Sequence, residues 1–452
     1  MDAICQRLSV VVMALVLAAI TWGSSDALGQ EKPAAPAPPA APAPPAASTP
    51  APAPAYDIWT TKRLTGDWGG TRTDLENQGI SFSALLGTMT QFNFRGGLNT
   101  HNACDVAGRA FYVLELDFQK MKLIDGGSFF VRAVSNWNNG IQADVGSLTP
   151  PFWAAGSSGD QWIELDKYWY RQRLWDDRVE FRLGKLQNIS DLFDKNVYAE
   201  NYLNQFMNRA LNHNMAMPYT KGIGAFGKVW PVDWLYFQMA AMDPDTINTH
   251  NRHGTGGFDT AFHDDCRFRG FWEAGILPKH LGVTLPGNYR LGCWYDPVTK
   301  RVYGNNLGGL LTDRFETGDV GYYFSADQMV WKENEDAKDK QGLGVFARYG
   351  WADEELNRIE HFWSLGASYQ GLIPQRNADV LAFGMAQSIL SGDLREFVNA
   401  RADRETVYEL YYAFEVTPWC TVSPDFQVIT NPGASKDARD AIVGGVRVKL
   451  SF

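Results

Sequence analysis

From Ile80 to its end the chain alternates. Apolar residues take every second position in stretches of nine to fifteen residues, and polar or Gly/Pro-rich segments separate those stretches. A period of two is the pattern of a β-strand with one apolar and one wet face. In the last stretch Val446, Val448, Leu450 and Phe452 share one parity and Arg447, Lys449 and Ser451 the other. Ala110, Tyr112, Leu114 and Leu116 oppose Arg109, Glu115 and Asp117 in the same way, and Phe181 and Leu183 oppose Glu180 and Arg182. Sixteen stretches follow the rule, the first at 80–94 and the last at 440–452, with 9 to 35 residues after the odd ones and 2 to 11 after the even ones. Such sorting of long and short connections is that of an up-and-down barrel in an outer membrane, and a soluble sandwich has no reason for it.

The pattern therefore predicts an all-β chain: a closed antiparallel up-and-down transmembrane β-barrel of about 16 strands over 80–452. Hydrocarbon offers no hydrogen bonds, so strands cross it only if their sheet closes on itself. Outward positions then meet lipid, and inward positions meet a bore wide enough for water. Trp137, Trp234, Trp331, Trp351, Tyr411, Tyr412 and Trp419, at strand ends, fit the interfacial aromatic girdles. Pro424 falls inside a predicted strand, where its missing N–H calls for a bulge.

Ahead of the barrel three segments differ in composition. Residues 1–29 read as a secretory signal peptide: Arg7, the apolar run Leu8–Ile20, then Ser24, Ser25, Ala27 and Gly29. The run is shorter than the ~18 residues a membrane-spanning helix needs. Residues 30–55 are a Pro/Ala-rich linker, with ten Pro and eleven Ala between Pro33 and Ala55. Such a run is expected to be disordered or extended, with a reach of roughly 70 Å at ~3.1 Å per residue, which could touch the periplasm or cell wall. Residues 56–79 are a periplasmic segment with a short helix, Thr71–Asn77, in which Thr71 and Asp74 have capping-box spacing and Gly79 supplies the stop.

Charge narrows the function classes. A net charge of −10 with no Lys/Arg block excludes a nucleic-acid partner. Beyond the signal peptide the cysteines are Cys104, Cys266, Cys293 and Cys420, too sparse to frame a fold; Cys104 and Cys266 fall in loops on one side, which leaves a disulfide between them open. His250, His253, His263 and Cys266 have spacings compatible with a metal, but His- and Asp-rich loops are common, and no metal or cofactor is assigned. The chain has no G-x-S-x-G, no H-E-x-x-H and no phosphate-cradling Gly loop, so no enzyme is expected.

Several motifs carry a resemblance. The stretch Leu64-Thr65-Gly66-Asp67-Trp68-Gly69-Gly70-Thr71-Arg72, with Leu75 and Gly79-Ile80, is similar to the N-terminal motif of the carbohydrate-selective porins, the OprB family. Leu183-Gly184-Lys185, Gln341-Gly342-Leu343-Gly344-Val345-Phe346, Tyr369-Gln370-Gly371-Leu372-Ile373-Pro374-Gln375-Arg376, Glu409-Leu410-Tyr411-Tyr412, Pro424-Asp425-Phe426-Gln427 and Asn431-Pro432-Gly433 follow in the family's order. The resemblance covers Leu64 to the end, and it implies a sixteen-stranded outer-membrane barrel that admits small sugars by passive diffusion.

A sugar channel needs weak, repeated contacts: aromatic faces for C–H surfaces, and Arg, Glu, Asp and Asn for hydroxyls. Parity places Arg109, Glu115, Asp117, Arg132, Asn136, Trp162, Glu164, Asp166, Glu180, Arg182, Glu409, Asp425, Gln427 and Arg447 inside. Of these, Arg109, Glu115, Arg132, Trp162, Glu164 and Arg182 are the expected eyelet. The connection 187–221 is the expected inward-folded constriction, with Leu203, Phe206, Met207, Ala210 and Leu211 on one helical face and Glu200, Asn201, Asn204, Gln205 and Asn208 on the other. The amide face, Asn204 above all, can exchange hydrogen bonds with hydroxyls. A porin for other small solutes and a secreted β-rich carbohydrate-binding protein remain as alternatives.

Overall fold

The computed structural model describes residues 56–452 apart from 139, 154–160, 190, 245–266, 304–313, 337–338, 399–401 and 436. The expected signal peptide, the Pro/Ala linker, the His250, His253, His263 and Cys266 group and one partner of the Cys104–Cys266 disulfide lie outside the described residues. Period-two alternation becomes sheet throughout. The strands of the first half are β1 (Ile80–Gly97), β2 (Cys104–Asp117), β3 (Gly127–Trp137), β4 (Gln161–Leu174), β5 (Val179–Gln187), β6 (Lys221–Val232), β7 (Leu235–Met242) and β8 (Arg269–Ile276). Those of the second half are β9 (Gly287–Asp296), β10 (Asp319–Lys332), β11 (Gly342–Ala352), β12 (Ile359–Gln370), β13 (Val380–Leu390), β14 (Arg404–Thr417), β15 (Cys420–Thr430) and β16 (Arg439–Ser451). Each pairs with its neighbours in sequence, and β1 pairs antiparallel with β16 from Leu85↔Ser451 to Gly97↔Arg439, which closes the barrel. Closure removes the sheet edges, so a secreted open sheet is excluded. No helix among the described residues is long and apolar enough to cross a membrane.

The connections 138–160, 188–220, 243–268 and 297–318 all leave one end of the barrel, and turns as short as 233–234 and 418–419 close the other. Parity divides the side chains as expected. Ile163, Leu291, Tyr322, Leu365 and Phe383 are exposed on the outside, whereas Trp294, Tyr323, Phe346 and Phe362 face inward and are buried. Tyr411 corrects the girdle expectation, because it shares the inward parity of β14 and is buried, while its neighbour Tyr412 points outward and donates to Asp379 at 2.9 Å. At Pro424 the expected bulge is absent. β14 and β15 keep one register from Tyr411↔Asp425 to Phe414↔Val422, and only the bridges between those pairs are missing. On the other side Pro424↔Val446 continues the ladder without a shift. Losing one donor costs less here than inserting a residue that would flip the parity beyond it.

At the short-turn end, Tyr56–Asn77 lies across the seam. The Leu64 N–H donates to the Ser451 carbonyl at 2.8 Å, Trp419 Nε1 donates to the Ile58 carbonyl at 2.6 Å, and Arg63 pairs with Glu76 at 2.6 Å. The helix Thr71–Asn77 forms as expected, and Gly79 follows it at φ +91°. Its cap differs. Gly70 occupies the N-cap position without a side chain, and the Asp67 carboxylate accepts the Thr73 N–H and hydroxyl at 3.0 and 2.8 Å.

The bore is not empty. Phe193, Phe206 and Leu211, all from the connection 188–220, are fully buried inside it. Phe206 packs against Phe346 and Tyr411 at ring distances of 5.6 and 5.1 Å, and Phe193 against Phe271 at 5.5 Å. The wall leaves room for them: a Cβ at Gly384 would lie 2.9 Å from both Leu211 and Phe206. Gly384→Val is therefore expected to cost about 1–3 kcal/mol by overpacking. The folded, fast-migrating gel band should convert to the unfolded one at a lower temperature, whereas Gly227→Val, with nothing within 4 Å of its Cβ, should leave that temperature unchanged.

Candidate functional site

The third long loop, 188–220, enters the bore and is held there by charges on the wall. Asn188 clasps its base, donating to the Pro218 carbonyl and accepting the Thr220 N–H, both at 2.8 Å. Arg348 on β11 is fully buried; it pairs with Asp194 at 3.0 Å and donates to the carbonyls of Leu211 and Ala199 at 3.0 and 2.6 Å. Glu273 on β8 accepts the Asp194 N–H, and Glu409 on β14 accepts those of Met207 and Asn208 at 2.5 and 2.9 Å. Arg447 on β16 donates to the carbonyls of Tyr202 and Gln205 at 2.7 and 2.6 Å. A buried charge that saturates several loop groups fixes backbone more tightly than a surface pair, because losing its partners leaves it desolvated and unpaired.

The expected two-faced helix is much shorter in the structure. Only Arg209–Asn212 is helical, because Asn208 caps it by accepting the Ala210 N–H. The apolar set Leu203, Phe206, Met207, Ala210 and Leu211 is buried as expected. Asn208 is not on an open amide face: it is buried and donates to Gln427 at 3.0 Å. Asn201 and Asn204 stay exposed, and Asn204 accepts from Lys449 at 2.6 Å. Burial, with Arg209 and Arg348 nearby, holds His213 well below the usual imidazole value, so it is neutral and accepts from Arg209 Nε at 3.3 Å.

The second long loop also folds inward, which alternation did not reveal. Trp153 donates its N–H to the Met207 carbonyl at 2.8 Å, and the Arg209 N–H reaches the Pro150 carbonyl at 3.1 Å. Glu405 holds this loop from the wall, accepting the N–H groups of Leu148 and Gly433 at 2.7 Å. Pro150-Pro151-Phe152-Trp153, an apolar run in a loop, was the available signal. Trp153 packs on Tyr202 and Tyr219 at 6.0 and 5.9 Å.

With the β8–β16 side covered, Glu115, Arg132, Arg171, Arg182 and Lys221 on β2–β6 keep part of their side-chain surface exposed. Arg109 donates to Asn136 and, at 3.1 Å, to the Tyr202 hydroxyl. Arg132 pairs with Asp166 at 2.5 Å and lies 4.3 Å over the Phe111 ring. Lys221 bridges Asp166 at 2.9 Å and Glu164 at 3.7 Å. Nearer the short turns, Arg182 pairs with Glu180 at 2.6 Å over Trp169, and Arg171 faces Glu115 at 3.7 Å. Thus Arg109, Arg132 and Glu164 meet in one cluster, Glu115 and Arg182 form the next row, and Asn204 stands on the opposing loop. The Trp162 side chain lies outside the described residues.

Glu409, Gln427 and Arg447, expected in the bore by parity, do face inward but lie beneath the third loop and are not open to solute. Lys167 escaped the reading for another reason. Arg132 pairs with Lys167 and Ala133 with Leu165, so Asp166 is an extra residue. Asp166 and Lys167 both reach inward partners, Lys167 pairing with Asp191 of the third loop. A bulge leaves no trace in alternation.

The sequence model of the family described as "Carbohydrate-selective porin, OprB family" matches residues 101–452. Porin B of Pseudomonas aeruginosa is 25% identical, the alignment covering 87% of this chain and 92% of its own. The putative porin QuiX of Acinetobacter baylyi is 24% identical, covering 88% and 95%. Among solved structures, the high-pH form of Pseudomonas putida OprB superposes with a TM-score of 0.76 at 22% identity, over 88% of this chain and all of that one.

Two outcomes follow for the loop. Arg348→Ala strands Asp194 and should cost about 3–5 kcal/mol, seen as a larger and noisier single-channel conductance. Burial raises Glu200 on the third loop to about 7, above its ordinary 4.5. A raised acid favours the folded loop fully below its unfolded value and progressively less as pH climbs through about 7. Amide exchange across Lys195–Gln205, corrected for intrinsic rates, should be faster at pH 8 than at pH 6, and Glu200→Gln should remove the difference.

Proposed function

Since the chain belongs to the OprB family of carbohydrate-selective porins, we propose that small sugars cross its bore singly and passively, along the wall formed by β2–β6. It is an outer-membrane β-barrel and a transport channel. Its long loops face the exterior and its short turns, with the N-terminal segment, the periplasm.

The observation that carries the reading is the asymmetry of the bore. One side is filled by two loops latched to the wall, and the other presents guanidinium and carboxylate groups backed by aromatic rings. A sugar entering there exchanges water for hydrogen bonds to Arg109, Arg132, Glu164 and Lys221, with the rings of Phe111 and Trp169 behind the guanidinium groups of Arg132 and Arg182. Pairs of opposite sign give each group a second partner when no sugar is present. Release is therefore not slowed by stranded charges, which a diffusion channel requires. Asn204 serves as the opposing contact, on a loop whose backbone the buried latches hold in place.

Arg132 is the most telling residue to change. In planar bilayers D-glucose should reduce the single-channel ion current, and Arg132→Ala should raise the half-blocking concentration about tenfold, the loss of one charge-assisted hydrogen bond of about 1.5 kcal/mol. A current indifferent to glucose and to every other sugar tried would overturn the reading.

A further inference from the structure

Along the open wall the two members of an ion pair are not equally placed. Arg132 keeps 20% of its side-chain surface exposed while its partner Asp166 keeps 7%. For Arg182 and Glu180 the figures are 21% and 8%. Glu180 also neutralises Arg173 at 3.5 Å, and Asp166 also serves Lys221. In these pairs the cation stands toward the water and the carboxylate is recessed behind it. Two pairs run the other way, Glu115 with Arg171 and Asp191 with Lys167.

Further cations lack a carboxylate altogether. Among the described residues, Arg209 has none within 4.0 Å; it lies over the Trp153 ring at 4.7 Å. Lys228 has none either and sits 3.7 Å from the Tyr236 ring centre. The facing loop offers the exposed amides Asn201 and Asn204, Lys195 against Glu200, and Asp191, which Lys167 of the wall already neutralises. The local sign is thus opposite to that of the whole chain, which carries −10. In a narrow bore between low-dielectric walls the nearest charges, and not the net charge, set the potential a solute meets.

Resting on the sugar-porin reading, we infer that this wall discriminates by charge and favours a carbohydrate bearing one carboxylate, an aldonate or a uronate, over its neutral parent. The guanidinium groups of Arg132 and Arg182 lie over Phe111 and Trp169, at 4.3 and 4.8 Å from the ring centres. Asp166 and Glu180 hold the Nε and Nη2 edge of each guanidinium, and the remaining Nη1–Nη2 end can place parallel N–H groups on the two oxygens of a carboxylate, a match that a single hydroxyl oxygen lacks. The solute's remaining hydroxyls keep the contacts described above.

The test uses the purified full-length chain in planar bilayers. Under a tenfold KCl gradient the reversal potential should have the sign of chloride selectivity. Asp166→Asn and Glu180→Gln each remove a recessed carboxylate and keep the cation, so each should raise the chloride-to-potassium permeability ratio about threefold, the effect of one unit charge near an ion in a watery medium. Arg132→Gln and Arg182→Gln should lower it to a similar extent. D-Gluconate should half-block the current at a lower concentration than D-glucose. A zero or potassium-directed potential in the unmodified channel, or equal block by the two solutes, overturns the charge preference and leaves the sugar-porin reading standing. Failure of both solutes to block overturns both. The unmodified channel decides the sign alone, so a variant that does not fold cannot obscure the result.

Discussion

A backbone amide in hydrocarbon has no water to turn to, and every other feature of this molecule follows from that. Sixteen strands satisfy the constraint by pairing in sequence order and joining β1 to β16, so no edge is left for lipid to meet. Closure fixes parity, and parity fixes chemistry. Leu291 and Phe383 can stand exposed only because the outside is oil, and Arg290 or Arg348 can point inward only because the bore offers partners or water.

A cylinder of this size is too wide to select anything by itself. Two loops narrow it, and the means is electrostatic as much as apolar. Arg348, Arg447, Glu405 and Glu409 occupy inward positions under the loops and spend their hydrogen bonds on loop backbone. The aromatic contacts of Phe193 and Phe206 supply burial without direction, whereas the charged groups set where each turn of loop must sit. What stays open is the wall from β2 to β6. Arg132 and Arg182 lie over aromatic rings, and their carboxylate partners Asp166 and Glu180 are drawn back from the water, while Glu115 stands out into it.

The strands were legible because alternation over nine or more residues has one reading, and all sixteen formed where the pattern put them. Parity also put Arg109, Arg132 and Glu164 on the inner face, and the structure gathers them there in one polar cluster. Parity reports only which side of the sheet a residue faces. It cannot tell that Glu409 and Arg447 lie beneath a loop whereas Arg182 does not. Nor does it register one extra residue at Asp166, which brings Lys167 to an inward partner. The short helix at Arg209 shows a further limit. The apolar spacing from Leu203 to Leu211 was met by a loop wound around Asn cap and turn contacts, since buried wall groups bonded its backbone in place of a helical ladder.

Water access inside the barrel tests the central claim, that latched loops confine solute to one wall, most directly. In a background with Cys104, Cys266, Cys293 and Cys420 replaced by serine, single cysteines can be exposed to a small, charged, water-soluble thiol reagent. Asn204→Cys and Arg171→Cys should react quickly, while Ser364→Cys and Ser388→Cys, inward-facing but buried, should react slowly or not at all. Equal labelling at all four positions would mean that the loops do not fill that side of the bore, and the account would fail.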